Sequence, residues 1–126
     1  MDASSLINIQ RNAGITALEK RKGAILISEK VAYEVAINPK IPKTDPLRQF
    51  VERNPQMITS FQNSEEEAYL SILREPGVDL GEASVIAIAL KRNLPLVVDE
   101  RDTKATGKAN HYGITTLKWQ EFLRAC

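Results

Sequence analysis

The chain has 126 residues, 43% hydrophobic and 26% charged, which fits one globular domain (1–126) with a buried core and excludes a fibrous or disordered protein. With 17 Lys and Arg against 16 Asp and Glu, the formal net charge is +1, so no global basic field advertises nucleic acid, and any such contact has to be local. The lone cysteine, Cys126, cannot pair within the chain, and there is neither a membrane-length apolar run nor a signal-peptide pattern, so a cytoplasmic protein without a membrane is expected.

The first predicted element is a short helix over Ser4–Asn12, followed by more helix over Ile15–Lys22 that Gly23 ends. The isoleucine-rich run Ala24–Ser28 reads as a buried strand. Ser28 then caps a helix over Ser28–Ile37, on which Val31, Glu34 and Ile37 fall three apart and so share a face. Three prolines mark Asn38–Pro46 as a loop. Helix over Leu47–Arg53, a weak strand at Met57–Ser60 and a helix over Ser64–Arg74 with acids at its start come next. Beyond Pro76-Gly77, Gly81–Arg92 is the clearest helix and Leu94–Val98 a short buried strand. A helix over Thr103–Tyr112, a strand at Ile114–Thr115 and a helix over Leu117–Arg124 complete the chain. This alternation predicts an α/β fold: a mostly parallel sheet with helices on both faces.

Four acids stand where apolar runs end or within apolar helical stripes. Asp99 directly follows the strand ending at Val98, Glu34 lies on the helix after the strand ending at Ser28, and Glu82 shares a stripe with Val85, Ile86 and Ala89. Asp2 follows only Met1, in the place where it would end a first strand. Ligands of open parallel sheets bind outside the carboxyl ends of the strands. Acids from distant segments gathered there repel one another unless a hard cation, which prefers carboxylate oxygens, is shared among them. Each acid taken alone has a plain alternative: a helix-dipole partner for Glu82, a lysine pair for Glu34, a cap or turn for Asp99 and a solvated terminus for Asp2.

In order, Asp2-Ala3-Ser4-Ser5-Leu6-Ile7, Leu26-Ile27-Ser28 with Val31 and Glu34, Leu80-Gly81-Glu82-Ala83 through Ala89, Leu96-Val97-Val98-Asp99-Glu100-Arg101 and Gly113-Ile114 resemble the successive motifs of the PIN-domain family, and the likeness is closest to prokaryotic members that include VapC-like toxins. The resemblance implies a three-layer α/β/α sandwich and a Mg²⁺- or Mn²⁺-dependent ribonuclease, with the toxin of a toxin–antitoxin pair as one setting. By motif, Asp2, Glu34, Glu82 and Asp99 would form the catalytic metal site, with Glu100 competing with Asp99, Asp79 and Asp102 as lesser candidates, and Ser4 orienting Asp2 or the attacking water. Asp99 is also the candidate for removing that water's proton. Arg101, Lys104 and Lys108 are candidates for RNA phosphates, with a solvated helix face as their alternative; Lys20-Arg21-Lys22 reads as a solvated helix end. The implied partners are RNA, an antitoxin protein and a second copy of the chain. Trp119, Phe122 and Leu123 form a stripe for the core or for such a dimer interface, and His111 reads as structural.

The chain departs from the family pattern at its start, where several apolar residues usually form the central strand before the first aspartate. A truncated first strand is therefore expected, along with a longer natural precursor carrying roughly four to six apolar residues before Asp2. Two other readings compete: an inactive PIN-like module that binds RNA or protein, and a phosphate-accepting receiver-like domain, which would want a lysine at a late strand end that Lys91 and Lys104 do not supply.

Overall fold

The computed structural model describes residues 1–62, 64–99, 101 and 103–124, without the side chains of 103 and 104. Helix α1 (Ala3–Asn12) begins at the N-terminus, capped by Asp2, whose Oδ1 accepts the Ser5 N–H at 2.8 Å. Asp2 is therefore the N-cap of this helix. Helix α2 (Ile15–Arg21) leads through a single 3-10 turn, Lys22–Ala24, into β1 (Ile27–Ser28), which is shorter than the predicted Ala24–Ser28 because that turn takes up its start.

Ser28 caps α3 (Glu29–Ala32) by accepting the Val31 N–H at 3.1 Å. The helix then widens into one π turn, Tyr33–Ile37, closed by the Asn38 N–H donating to Tyr33 O at 3.0 Å. The predicted common face of Val31, Glu34 and Ile37 is not kept: Val31, Ala32, Val35 and Ala36 face the core, whereas Ile37 is 56% exposed. Such turns frequently occur at functional sites.

Pro46 occupies the first turn of α4 (Pro46–Arg53), where its missing N–H costs nothing. Strand β2 (Ile58–Thr59), helix α5 (Glu65–Leu73) and helix α6 (Leu80–Arg92) follow. Almost all of α6 from Gly81 to Ala89 is buried, and Asn93 ends it in the left-handed conformation (φ 55°). Strand β3 (Leu96–Val98), α7 (Thr103–His111), β4 (Thr116–Lys118) and α8 (Trp119–Arg124) complete the chain. Strand β4 lies two residues beyond the predicted Ile114–Thr115, although Thr115 O still accepts the Leu96 N–H at 2.9 Å.

The four strands form two parallel pairs, β1 with β2 and β3 with β4, in place of one continuous sheet. Between them lies the N-terminus. The Met1 ammonium donates to Leu26 O at 2.9 Å on the β1 side, and the Asp2 N–H donates to Val97 O at 3.3 Å on the β3 side. The first two residues thus bridge the two strand pairs. Holding that ammonium out of water lowers its pKa to about 6, with the Asp2 charge partly offsetting the shift.

The core is built from Leu6, Ile9, Leu18, Ile27, Phe50, Met57, Ile72, Ile86 and Leu96, all shielded from solvent, with each such side chain contributing about 1.5–3 kcal/mol. A buried ion pair fastens α5 to α6: Arg92 Nε and Nη2 donate to Glu65 Oε2 and Oε1 at 2.7 and 2.9 Å, and a third bond from Arg92 reaches Ser60 O. Among the described residues, no helix is long and apolar enough to cross a membrane.

Candidate active site

Met1 and Asp2 bridge the two strand pairs, bonding Leu26 O beside β1 and Val97 O on β3, which brings the residues that follow β1 and β3 near Asp2. At that edge a cavity of about 50 Å³ is lined by Asp2, Ser4, Glu34, Asp79, Glu82 and Gly81, among others. Three of the four acids predicted from the motifs (Asp2, Glu34 and Glu82) therefore come together. Asp79, a lesser candidate in the sequence, joins them as the N-cap of α6, its Oδ1 accepting the Glu82 N–H at 2.8 Å.

Gly81 lets this cluster form. A Cβ at that position would stand 2.7 Å from Glu34 Oε1, so only glycine lets the Glu34 carboxylate lie against the start of α6. Its neighbours act on its charge. Burial, then the Asp79 carboxylate, then the Asp2 carboxylate push the Glu34 pKa above the ordinary glutamate value. Ser84, one turn into α6, donates to Gly81 O at 2.7 Å and shares a 2.7 Å hydrogen bond with the Ser28 hydroxyl, tying the start of α6 to the end of β1.

Asp99 stands one residue past β3 and is buried, but it is not among the described residues lining the cavity. Its Oδ2 accepts from Asn8 Nδ2 at 2.7 Å and lies 3.5 Å from Arg101 Nη2, while its Oδ1 accepts the Arg101 N–H at 3.3 Å. Arg101 also donates to Asn8 Oδ1 at 2.8 Å, which closes a triangle of Asn8, Asp99 and Arg101 around the open end of α1. The motif comparison does not include Asn8. Its position, two turns into α1 on the side facing β3, is a signal that only the fold reveals.

Arg101 is 71% exposed beyond these contacts and remains available to a phosphate. Lys108 is engaged: its Nζ lies 2.6 Å from Glu75 Oε2, and the Tyr112 hydroxyl donates to the other oxygen of Glu75. That contact sets Lys108 apart from the predicted phosphate contacts, because α7 turns it toward the Glu75 end of α5. Glu100, Asp102 and the side chain of Lys104 lie outside the described residues. Ser4 lines the acid cavity, while the recorded support of Asp2 comes from the Ser5 N–H. His111 packs edge-on against Tyr112 at 5.2 Å, as a structural residue would.

A larger groove of about 890 Å³ adjoins the acids, sharing Glu34 and Gly81 with them and bordered by Tyr33, Phe61, Tyr69 and Leu80. Tyr33 and Leu80 expose about half of their surface there.

The donor set consists of hard oxygens, the kind that Mg²⁺ and Mn²⁺ take. Desolvation first, and then the charges of Asp79 and Asp2, raise the Glu34 pKa, and a cation would relieve the part due to those charges. In chemistry, the residues fit a divalent ion. Among the described residues, however, no three acids approach closely enough to hold one as they stand.

The chain is an α/β protein with carboxylates gathered at one edge of its strands. Residues 1–117 match the DUF3368 family model, a PIN domain, and the chain belongs to this PIN-domain family. PIN domains are generally nucleases that typically use divalent metals. No curated protein and no solved structure matches the chain at a significant level.

Proposed function

We propose that this protein is a Mg²⁺- or Mn²⁺-dependent endoribonuclease that hydrolyses RNA phosphodiester bonds at the edge where Asp2, Glu34, Glu82 and Asp79 meet. The observation that carries the proposal is that Asp2, Glu34, Asp79 and Glu82 line one cavity, in a chain of the PIN family. In the same reading, the two strand pairs are halves of one parallel sheet in a three-layer α/β/α sandwich.

Asp2, Glu34 and Glu82 would hold the ion, with Asp79 beside them and Asp99 or Glu100 completing the set. When bound, such an ion neutralises charge at phosphorus and makes water a better nucleophile. The chain's own residues set the geometry. The Ser5 N–H fixes the Asp2 carboxylate, and Gly81 leaves room for that of Glu34. Asn8 and Arg101 orient Asp99 at the end of β3, where it would accept the proton of the attacking water. Arg101 positions a phosphate, together with Lys104.

A toxin–antitoxin setting and a homodimer belong to the same proposal; expression-induced growth arrest and solution mass test them. A second reading, an inactive PIN-like module that binds RNA or protein, is favoured by the separation of Asp99 from the cavity and by the absence of a ready three-acid group among the described residues. Incubating the chain with single-stranded RNA in Mg²⁺, Mn²⁺ or EDTA separates the two. Cleavage that needs metal and disappears in Glu34→Gln supports the nuclease, and retained RNA binding without cleavage supports the module.

A further inference from the structure

A second pocket lies beside the acid cavity. It has a volume of about 640 Å³, is lined by Glu75, Pro76, Gly77, Gly107, Lys108 and His111, and shares Glu82 with the acids. Two elements meet there. Glu75 lies just past the end of α5, while Lys108 and His111 stand three apart, and Gly107 and His111 four apart, on one face of α7. Both glycines leave the pocket open, since a Cβ at Gly77 or Gly107 would meet nothing within 4 Å. Gly77 also supplies the left-handed backbone (φ 79°) with which the chain turns out of α5.

The polar groups of this pocket form a row. Lys108 Nζ donates to Glu75 Oε2 at 2.6 Å, and the Tyr112 hydroxyl donates to Oε1. These bonds, that of Lys108 first, hold the Glu75 carboxyl below the ordinary glutamate range, so at neutral pH it is purely an acceptor. A carboxylate has about four lone-pair sites, and the two bonds take one on each oxygen. A partly exposed ion pair of this kind adds little stability by itself. What it presents at the pocket wall is a pattern: one donor beside two acceptors.

That pattern selects a ligand. The Watson–Crick edge of guanine runs acceptor, donor, donor, so O6 would meet Lys108 while N1–H and the N2 amino group meet the two Glu75 oxygens. Uracil would set a carbonyl against the carboxylate, cytosine would set two acceptors there, and adenine offers one donor group beside a ring acceptor. A phosphate would gain Lys108 and be repelled by Glu75.

We propose that the Glu75–Lys108 pair is a guanine-reading site, which seats an unpaired guanine of the RNA next to the bond to be cut. The site rests on the ribonuclease function proposed above and adds a base preference to it. Because the two cavities share Glu82, a base held against Glu75 puts the neighbouring phosphodiester on the side of the acids. His111, packed edge-on against Tyr112, gives the base a flat wall.

The test is an amide NMR titration of the full chain, in EDTA so that nothing is cleaved, with the single-stranded hexamers UUUGUU, UUUIUU and UUUUUU. Inosine, I, keeps O6 and N1–H and lacks the N2 amino group. The expected result is saturable binding, tightest for the guanine hexamer, with shifts at Gly77, Gly107 and Lys108. Inosine should weaken binding by about tenfold, the scale of one hydrogen bond to a charged group. Glu75→Gln, of the same shape, should bring the guanine-to-inosine ratio to about one and leave binding of the uridine hexamer unchanged. Gly107→Leu, which fills the pocket from a helical position, should remove the guanine preference while the folded amide spectrum persists. Equal binding of the guanine and inosine hexamers, shifts confined to other surfaces, or a preference kept in Glu75→Gln would overturn the proposal. A separate cleavage assay in Mg²⁺ distinguishes the site from the nuclease function: cutting without guanine-selective binding sinks the site alone, and guanine-selective binding without cutting sinks the nuclease alone.

Discussion

Gly81→Ala separates the site from the fold. Helix α6 begins at Leu80, so an alanine at 81 sits in its first turn, and replacing glycine there favours the helix by up to about 1 kcal/mol. Against that gain stands one contact. The new Cβ would lie 2.7 Å from Glu34 Oε1, and ordinary contact begins at 3.4 Å, so the carboxylate must retreat by about 0.7 Å. The far end of a glutamate side chain moves cheaply, so the melting temperature should stay within a few degrees of wild type or rise. A metal site tolerates such a displacement poorly, and an error approaching 1 Å costs up to about 100-fold in rate. Metal-dependent RNA cleavage and thermal denaturation measured on the same preparation check this. Equal cleavage by the variant and wild type would refute the role of Gly81 in seating Glu34. A large loss of stability would mean that the clash falls on the backbone.

Glu34 binds its proton more tightly in the folded than in the unfolded chain, so the metal-free protein should lose stability as pH rises from 4.5 through the raised pKa; Glu34→Gln should remove that loss, with the advantage of the variant absent at low pH and constant above the window in pH-dependent denaturant melts. Glu65 is shifted the opposite way, chiefly by its hydrogen bonds from Arg92, so its contribution is present above the ordinary glutamate value and is lost as pH falls through the lowered one. Arg92→Met should therefore cost about 3–5 kcal/mol in urea unfolding at neutral pH, because it strands a buried carboxylate, and Glu65→Leu added to it should restore much of the loss. Asp99→Asn should abolish cleavage while lowering stability by about 1 kcal/mol, because Asp99 faces Asn8 and Arg101 and its negative charge helps hold them; a stabilised variant would place Asp99 among the repelling acids instead.

Much of this was legible from residue type and order. Ser28 and the Gly81–Arg92 stripe announce their helices through a cap and periodicity, and the structure places each within a residue or two, while Pro46, read as the end of a loop, opens α4. Asp2, Glu34 and Glu82, placed from motif order and strand ends, line one cavity. What escaped depends on three-dimensional neighbours. The π turn at Tyr33–Ile37 has no local signature, so the face of Glu34 was misread. Asp79 stood only as a lesser candidate because its charge matters only once Glu34 lies beside it. Nothing in the sequence signals that the packing of α7 sets Lys108 against Glu75. The bonds from Met1 and Asp2 that bridge the two strand pairs have no signature in the sequence.

The central claim is that Asp2, Glu34 and Glu82, with Asp79, share one divalent cation. Titrating Mn²⁺ into the metal-free protein and measuring paramagnetic broadening of the backbone amides tests it most directly. The account predicts saturable broadening, strongest at residues 2–4, 34 and 79–82, that Mg²⁺ competes away and Glu34→Gln weakens. Broadening centred on Glu19, Glu52 or Glu66, or none that saturates, would contradict it.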